Sequence, residues 1–188
     1  MLEKIKNNKY MIFLVAGIVA VALAIYAFSS SLNIYYTYLD NEYIPSSMKT
    51  DQLIEIIKNA LIILAIIPFI IIGRNKMMIK SALIFSILVY YLADSFSIIY
   101  NFIDDKDYSS LFYVLLNVVI IVFAIISLTN RSYLFVTLVL LLIDTAFNLL
   151  DVFRGSVIGF SQFILCLLLM SGIYFHNTEA KTEINYYS

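Results

Sequence analysis

The chain has 188 residues, of which 62% are hydrophobic, compared with about 45–50% in soluble domains. Charged residues make up 13% of the chain and nearly cancel at a net charge of −1, which excludes the basic surface that nucleic-acid binding requires. The composition therefore predicts an all-α integral membrane protein.

Six transmembrane helices are predicted, because crossing about 30 Å of hydrocarbon takes around 20 apolar residues. The six windows are 10–32, 53–73, 81–103, 110–129, 132–152 and 156–176. The first follows the basic segment MLEKIKNNK, but its apolar stretch is too long for a signal peptide and ends without a small-residue cleavage site, so we expect a retained helix. Residues 1–188 are expected to form a single membrane domain, with no loop large enough to fold separately.

The basic residues predict an orientation, since Lys and Arg concentrate on the cytoplasmic side of membrane proteins. One side of the predicted spans carries Lys4, Lys6, Lys9, Arg74, Lys76, Lys80, Arg131 and Lys181. The other side carries Lys49, Lys58, Lys106 and Arg154. This bias predicts a cell-membrane protein with both termini in the cytoplasm.

Two of the predicted helices carry the same polar pattern. Asp94 is followed seven residues later by Asn101, and Asp144 is followed seven residues later by Asp151. Seven residues are two helical turns, so each pair lies on one face of its helix. An acid inside a membrane costs roughly 2.5–3.5 kcal/mol on insertion scales. We therefore predict a functional role for these side chains.

The first predicted helix extends this similarity. Its segment IYAFSSSLNIYYTYLDN (25–41) aligns without a gap with VYYLADSFSIIYNFIDD (89–105). The alignment pairs Ser30 with Asp94, Tyr36 with Tyr100 and Asp40 with Asp104. The second, fourth and sixth helices each carry an amide near their outer end, at Asn59, Asn117 and Gln162. These matches predict three repeated helical hairpins in parallel topology, with chance similarity as the alternative.

The polar residues are predicted to meet at one depth. At 1.5 Å per residue, Asp94 and Asp144 lie about 10 Å below the outer surface, and the three amides reach about 8–10 Å from the same side. The inner halves of these helices are almost wholly apolar. We therefore predict a polar, aromatic-rimmed cavity that opens to the extracytoplasmic side above an apolar plug. Its predicted ligand-binding residues are Ser30, Tyr36, Lys58, Asn59, Asp94, Tyr100, Asn101, Asn117, Asp144, Asn148, Asp151 and Gln162.

Acids in such a cavity need a counter-ion, and Lys58 lies at the matching depth on the second predicted helix. The sequence predicts that Lys58 pairs with Asp94 or with Asp144. The alternative is that the polar groups only join helix to helix, with each hydrogen bond contributing roughly 0.6 kcal/mol.

Other polar and small residues receive structural interpretations. Cys166, the only cysteine, lies in an apolar run and is predicted to be a small core residue, which leaves no disulfide or thiol cage. His176 is the only histidine and cannot build a multi-histidine site, so no metal or other cofactor is predicted. The ridge Ala16, Ala20 and Ala24 predicts close helix packing or a docking face for a partner membrane protein.

The hairpin of the third and fourth predicted spans resembles the repeated hairpins in multi-span input regions of bacterial signalling proteins. It consists of LADSFSIIYNF, an acidic turn and LFYVLLNVVIIVFAI. It departs from them in having Phe112 or Tyr113 where such hairpins usually carry a Trp, and no kinase or cyclase domain follows. The layout of six spans, inner termini and an outer cavity is also similar to the substrate-binding components of energy-coupling-factor vitamin transporters. Both resemblances imply a ligand-binding membrane module, either a sensor input or a transport subunit.

Two other functions remain open from the sequence. Asp94 and Asp144 could share a proton as an acid/base pair in an intramembrane enzyme, although the flanking LADS and LIDT do not match the YD and GxGD motifs of intramembrane aspartyl proteases. The short loops also suit an interaction role, such as immunity to a membrane-active peptide. In every case the lipid bilayer is an expected partner.

Overall fold

The computed structural model describes residues 2–72, 78–105 and 110–184, and it describes side chains within 10–72, 78–100, 102–103 and 111–178. In the described ranges the chain is all-helical, as predicted. The helices are α1 (Leu2–Leu39), α2 (Ser46–Ile72), α3 (Ile79–Asp105), α4 (Ser110–Ser127), α5 (Leu134–Phe153) and α6 (Val157–Ile184). A short 3-10 turn, Arg131–Tyr133, precedes α5.

Five of these helices are long and apolar enough to cross a membrane: Tyr10–Leu39, Ser46–Ile72, Ile79–Tyr100, Arg131–Phe153 and Val157–Thr178. The apolar part of α4, Leu111–Ser127, is shorter and measures about 26 Å at 1.5 Å per residue. Many large apolar side chains lie on the outside, including Ile12, Phe85 and Leu115. A surface of this kind suits lipid rather than water, so the described helices have the character of a multi-pass membrane protein.

Helix α1 continues seven residues past the predicted end at residue 32, because residues 18–44 contain no glycine or proline. It stops where the side chain of Asn41 accepts a hydrogen bond from the backbone N–H of Tyr43, over 3.0 Å. Gly155 ends α5 with a φ of 85°, in the left-handed region that favours glycine. Ser156 then caps α6 by accepting a bond from the N–H of Gly159 at 3.1 Å.

The two helices of each predicted hairpin pack against each other, as do α2 with α3 and α1 with α6. Helix α6 contacts all five other helices and is therefore the most central element. Helices α3 and α5 do not pack against each other along their length. Their facing side chains instead border a polar space, with α4 and α6 on its flanks.

The alanine ridge of α1 serves internal packing. Ala20 and Ala24 are completely buried, and the hydroxyl of Ser161 on α6 donates to the carbonyl of Ala20 at 3.1 Å. On the α2 side, a Cβ atom at Gly17 would lie 3.0 Å from the side chain of Ile70. Small residues thus let α1 approach both neighbours closely, and Ala20 and Ala24 are covered by the chain itself.

The end of the bundle that carries the termini is closed by an aromatic cluster. Phe13 stacks on Phe69 with ring centroids 6.0 Å apart and meets Phe175 edge-on at 5.8 Å. Phe13 and Phe69 are almost fully buried. Since these residues lie near the start of α1 and the ends of α2 and α6, this cluster occupies the position predicted for the apolar plug.

Candidate functional site

A cavity of about 160 Å³ lies among α2, α3, α4, α5 and α6. Its charged lining residues are Lys58, Asp94, Asp144 and Asp151, its amides are Asn117, Asn148 and Gln162, and its other walls are Tyr90, Tyr113, Leu116 and Phe147. Seven of the twelve residues predicted to bind a ligand therefore line one space. The cavity extends toward the end of the bundle opposite the termini, because Asp151 lies in the last turn of α5 and Asn117 and Gln162 lie near the starts of α4 and α6.

An ion pair forms one side of this cavity. The ammonium nitrogen of Lys58 lies 3.0 Å from Oδ1 of Asp94, which is one of the two pairings predicted for this lysine. The side-chain amide of Asn117 donates to Oδ2 of Asp94 at 2.9 Å and to Ser95 at 3.2 Å. Both oxygens of Asp94 are therefore occupied by partners from other helices, and its charge is compensated within the protein.

Asp144 has a different set of partners. The buried hydroxyl of Tyr91 donates to Oδ2 of Asp144 at 2.8 Å, and the thiol of Cys166 lies 3.2 Å from the same oxygen. Both donors are neutral, and Oδ1 has no hydrogen-bond partner among the described residues. One oxygen of a carboxylate at the cavity wall therefore remains available.

Asn148 and Tyr90 continue the network around Asp144. The amide of Asn148 donates to the Tyr90 hydroxyl at 3.3 Å and to the backbone carbonyl of Asp144 at 3.1 Å, and it lies 3.5 Å from the sulfur of Cys166. The ring of Tyr90 meets that of Tyr91 edge-on, with centroids 4.7 Å apart. Because Asn148, Tyr90 and Cys166 are all buried, these bonds hold the inner wall in a fixed geometry.

Gln162 lines the cavity without a partner. Its side chain is only 6% exposed, yet its amide makes no hydrogen bond to any residue that the structure describes. The amide of Gln162 is therefore free to bond water or another molecule in the cavity.

The outer part of the cavity combines aromatic rings with an exposed ion pair. Tyr113 and Phe147 meet edge-on with centroids 5.8 Å apart. Asp151 forms a pair with Arg154 at 3.2 Å, and both side chains are substantially exposed. The charge of Asp151 is thus balanced at the mouth, where solvent screening makes such a pair weak.

A second polar cleft of about 220 Å³ holds Ser30 and Asn59, away from the main cavity. The amide of Asn59 donates to the hydroxyl of Ser31 at 3.0 Å. In the gap-free alignment of α1 with α3, Ser31 corresponds to Ser95, which accepts the equivalent bond from Asn117. The first two hairpins therefore share an amide-to-hydroxyl bond at matching positions, whereas in the third hairpin the corresponding Thr145 bonds its own helix and Met170.

The remaining three predicted residues are not among those that line either cavity. The Tyr36 side chain is 60% exposed and its ring lies beside Tyr35, so it is placed on the outer surface of α1. Tyr100 is half-buried on α3 outside the cavity lining. The side chain of Asn101 lies outside the described residues.

Sequence reasoning missed several members of the site. Cys166 is fully buried, as predicted for a core residue, but it also contacts Asp144. Its position four residues after Gln162 puts both on one face of α6, which is a signal that the sequence contains. Phe147 is likewise three residues after Asp144.

No hydrogen bond joins Asp94 to Asp144 among the described residues. Asp94 and Asp144 both line the cavity, yet each carboxylate is bonded to separate partners from other helices. No group of three or more residues that could hold a metal ion occurs in the described part of the chain. What the cavity presents to an occupant is Oδ1 of Asp144, the amide of Gln162 and aromatic walls.

Comparison of the chain with protein-family models, curated proteins and solved structures finds no match.

Proposed function

We propose that this protein is a membrane-embedded binding module whose polar cavity takes up a small molecule from the extracytoplasmic side. The amide of Gln162 carries the proposal, because it lines the cavity and has no hydrogen-bond partner among the described residues. The proposal extends to six spans, with α4 as the sixth, and to cytoplasmic termini, in keeping with the distribution of Lys and Arg. A sensor input and a transport subunit both fit such a module.

The cavity's volume limits its ligand. A cavity of about 150 Å³ lined by apolar side chains holds a molecule of benzene size, and the cavity here is about 160 Å³. The ligand therefore has at most on the order of ten non-hydrogen atoms. The aromatic cluster around Phe13 closes the opposite end of the bundle, which suits capture from one side better than an open channel.

Access to the cavity can be measured with thiol chemistry, because Cys166 is the only native cysteine. In a Cys166→Ser background, Leu116→Cys puts a thiol in the cavity wall, and Leu141→Cys puts one in the fully buried core of α5. A charged, membrane-impermeant thiol reagent added outside intact cells should label position 116 much faster than position 141. Equal rates, or labelling of position 116 only from the cytoplasmic side, would refute the proposed outer cavity.

Purification from the native cell in mild detergent then separates the two roles. Mass spectrometry should find a small molecule retained by the wild-type chain and lost from Gln162→Leu. A co-purified ATPase would indicate a transport subunit, and a co-purified kinase or cyclase would indicate a sensor. A chain that never retains a small molecule, and whose protein partners are unchanged in Gln162→Leu, would favour the interaction role instead.

A further inference from the structure

We infer that the ligand of the cavity is a small organic cation, with an ammonium group that binds Oδ1 of Asp144 and a second polar group that meets Gln162. This inference rests on the proposed binding function and names the class of ligand. It is carried by the charge balance of the cavity, by the single open oxygen of Asp144 and by the chemistry of the opposing walls.

The charge balance favours a cation. Three acids and one lysine line the cavity. Lys58 is committed to Asp94 at 3.0 Å, and Asp151 is paired with Arg154 at the mouth. Asp144 is the remaining acid, and its two hydrogen-bond donors, Tyr91 and Cys166, are neutral. A positive partner stabilises the ionised form of a carboxylate in such a place, and no described residue of the cavity supplies one to Asp144.

The geometry of Asp144 leaves room for that partner on one side. Tyr91 and Cys166 both bond Oδ2, whereas Oδ1 has no bond to a described residue. The donors on Oδ2 fix the orientation of the carboxylate, because Tyr91 is fully buried and cannot easily turn away. A carboxylate held by one oxygen and open at the other is well suited to a charge-assisted bond from an ammonium group.

The other walls suit the rest of an organic amine. Rings of Tyr90, Tyr113 and Phe147 line the cavity, and aromatic faces attract cations within about 6 Å. The amide of Gln162 offers both donors and an acceptor, which fit a hydroxyl or carbonyl on the ligand. A bare metal ion would use neither the rings nor a space of about 160 Å³, so an organic cation is the better fit.

Binding of radiolabelled ethanolamine to the purified full chain in nanodiscs tests this inference. Ethanolamine carries one ammonium and one hydroxyl, and two near-isosteres keep its hydroxymethyl group and replace the aminomethyl group: ethylene glycol is neutral and glycolate is anionic. We expect saturable binding that unlabelled ethanolamine displaces and that ethylene glycol, glycolate and potassium chloride do not. Displacement by the neutral or anionic isostere, or by potassium chloride, would overturn the assignment to an organic cation, as would the absence of saturable binding.

Two matched variants locate the binding group. Asp144→Asn should weaken ethanolamine binding roughly ten- to hundredfold, since a bond to a charged group is lost. Asp151→Asn, which removes the acid paired with Arg154 at the mouth, should weaken it far less. Equal losses in the two variants would overturn the role of Asp144. If Asp144→Asn does not fold, the displacement series on the wild-type chain decides alone.

The thiol-access experiment separates the two proposals. A cavity that is labelled from outside but does not bind ethanolamine would contradict only the ligand class and would leave the proposed binding function in place.

Discussion

Asp94 and Asp144 begin from the same sequence pattern and reach different chemical states. Asp94 is bonded at both oxygens, by Lys58 at 3.0 Å and by Asn117 at 2.9 Å. Asp144 is bonded at one oxygen only, by Tyr91 and Cys166. The acid on α3 is therefore part of the protein's own electrostatic structure, and the acid on α5 is the one left open to the cavity.

The difference comes from neighbouring helices rather than from the motif. Lys58 on α2 pairs with Asp94, and Cys166 on α6 contacts Asp144. In the second hairpin the helix equivalent to α6 is α4, which carries Asn117. The same short polar pattern on two helices can thus have a cationic partner in one place and only neutral partners in the other. Stability and binding measurements can separate these two cases.

Removing Lys58 should have the largest effect on stability. Lys58→Met leaves Asp94 without its counter-ion in a largely buried position, which we expect to cost about 3 kcal/mol in the free energy of unfolding. The double change Lys58→Met with Asp94→Leu should cost less than the single change, because no uncompensated charge remains. Reversible unfolding of the full chain in mixed micelles measures both values.

Lys80→Met is the matched control, because Lys80 is exposed at the start of α3 and its replacement should leave the unfolding curve almost unchanged. If the single and double changes at Lys58 and Asp94 cost the same, the ion pair makes no net contribution and the contrast between the two acids disappears.

Disrupting the close contact between α3 and α6 should have the second-largest effect on stability. A Cβ atom at Gly172 would lie 2.6 Å from Cδ2 of Leu83, which is itself fully buried. Gly172→Val should therefore push α6 away from α3 and cost about 2 kcal/mol through overpacking. Since α6 also supplies Cys166 to the network of Asp144, ethanolamine binding should weaken as well.

Shortening the opposing side chain checks that mechanism. Adding Leu83→Ala to Gly172→Val should recover part of the lost stability, because it vacates the space that valine needs. A double variant that is as unstable as the sum of the two single variants would show that the contact between Gly172 and Leu83 is not the cause.

The fold was predictable to the level of its helices because apolar runs of about 20 residues have few alternatives in a bilayer. The prediction was less accurate at helix ends: α1 reaches Leu39 instead of residue 32, since only a break such as Asn41 or Pro45 can stop it. Hydropathy also predicted α4 as a span in the same way as its neighbours, although the apolar part of α4 is shorter than theirs.

The candidate site was predictable in its polar members and less so in their partners. Depth along each helix placed Lys58, Asp94 and Asn117 at one level, and the structure joins them. Depth could not say which helices face each other, so it did not assign Cys166 to Asp144 or separate Asn59 from the main cavity. Those contacts depend on helix order and rotation, which spacing in the sequence does not determine.

The paired amides Asn117 and Asn59 offer a smaller test of the same contrast. Asn117 donates to the carboxylate of Asp94, so Asn117→Leu should cost about 1.5 kcal/mol. Asn59 bonds only a hydroxyl, and its own Oδ1 is buried without a partner in the described structure. Asn59→Leu should therefore change the free energy of unfolding by no more than roughly 0.6 kcal/mol, and a larger loss than in Asn117→Leu would contradict the equivalence of the two hairpins.

Neutralising Asp144 should have a small effect on stability and the largest effect on binding. Asp144→Asn keeps an oxygen that can accept from Tyr91, and no cationic partner among the described residues is left stranded, so the free energy of unfolding should change by less than about 1 kcal/mol. Asp94→Asn, the matched change in the other copy of the motif, strands Lys58 and should cost about 3 kcal/mol. Asp94→Asn should therefore lose more stability in mixed micelles. Asp144→Asn should lose more ethanolamine binding in nanodiscs, provided that Asp144 alone contacts the ligand. If the two variants lose the same amount of stability, the carboxylate of Asp144 contributes to folding as much as that of Asp94 does, and its neutral partners do not distinguish the two acids.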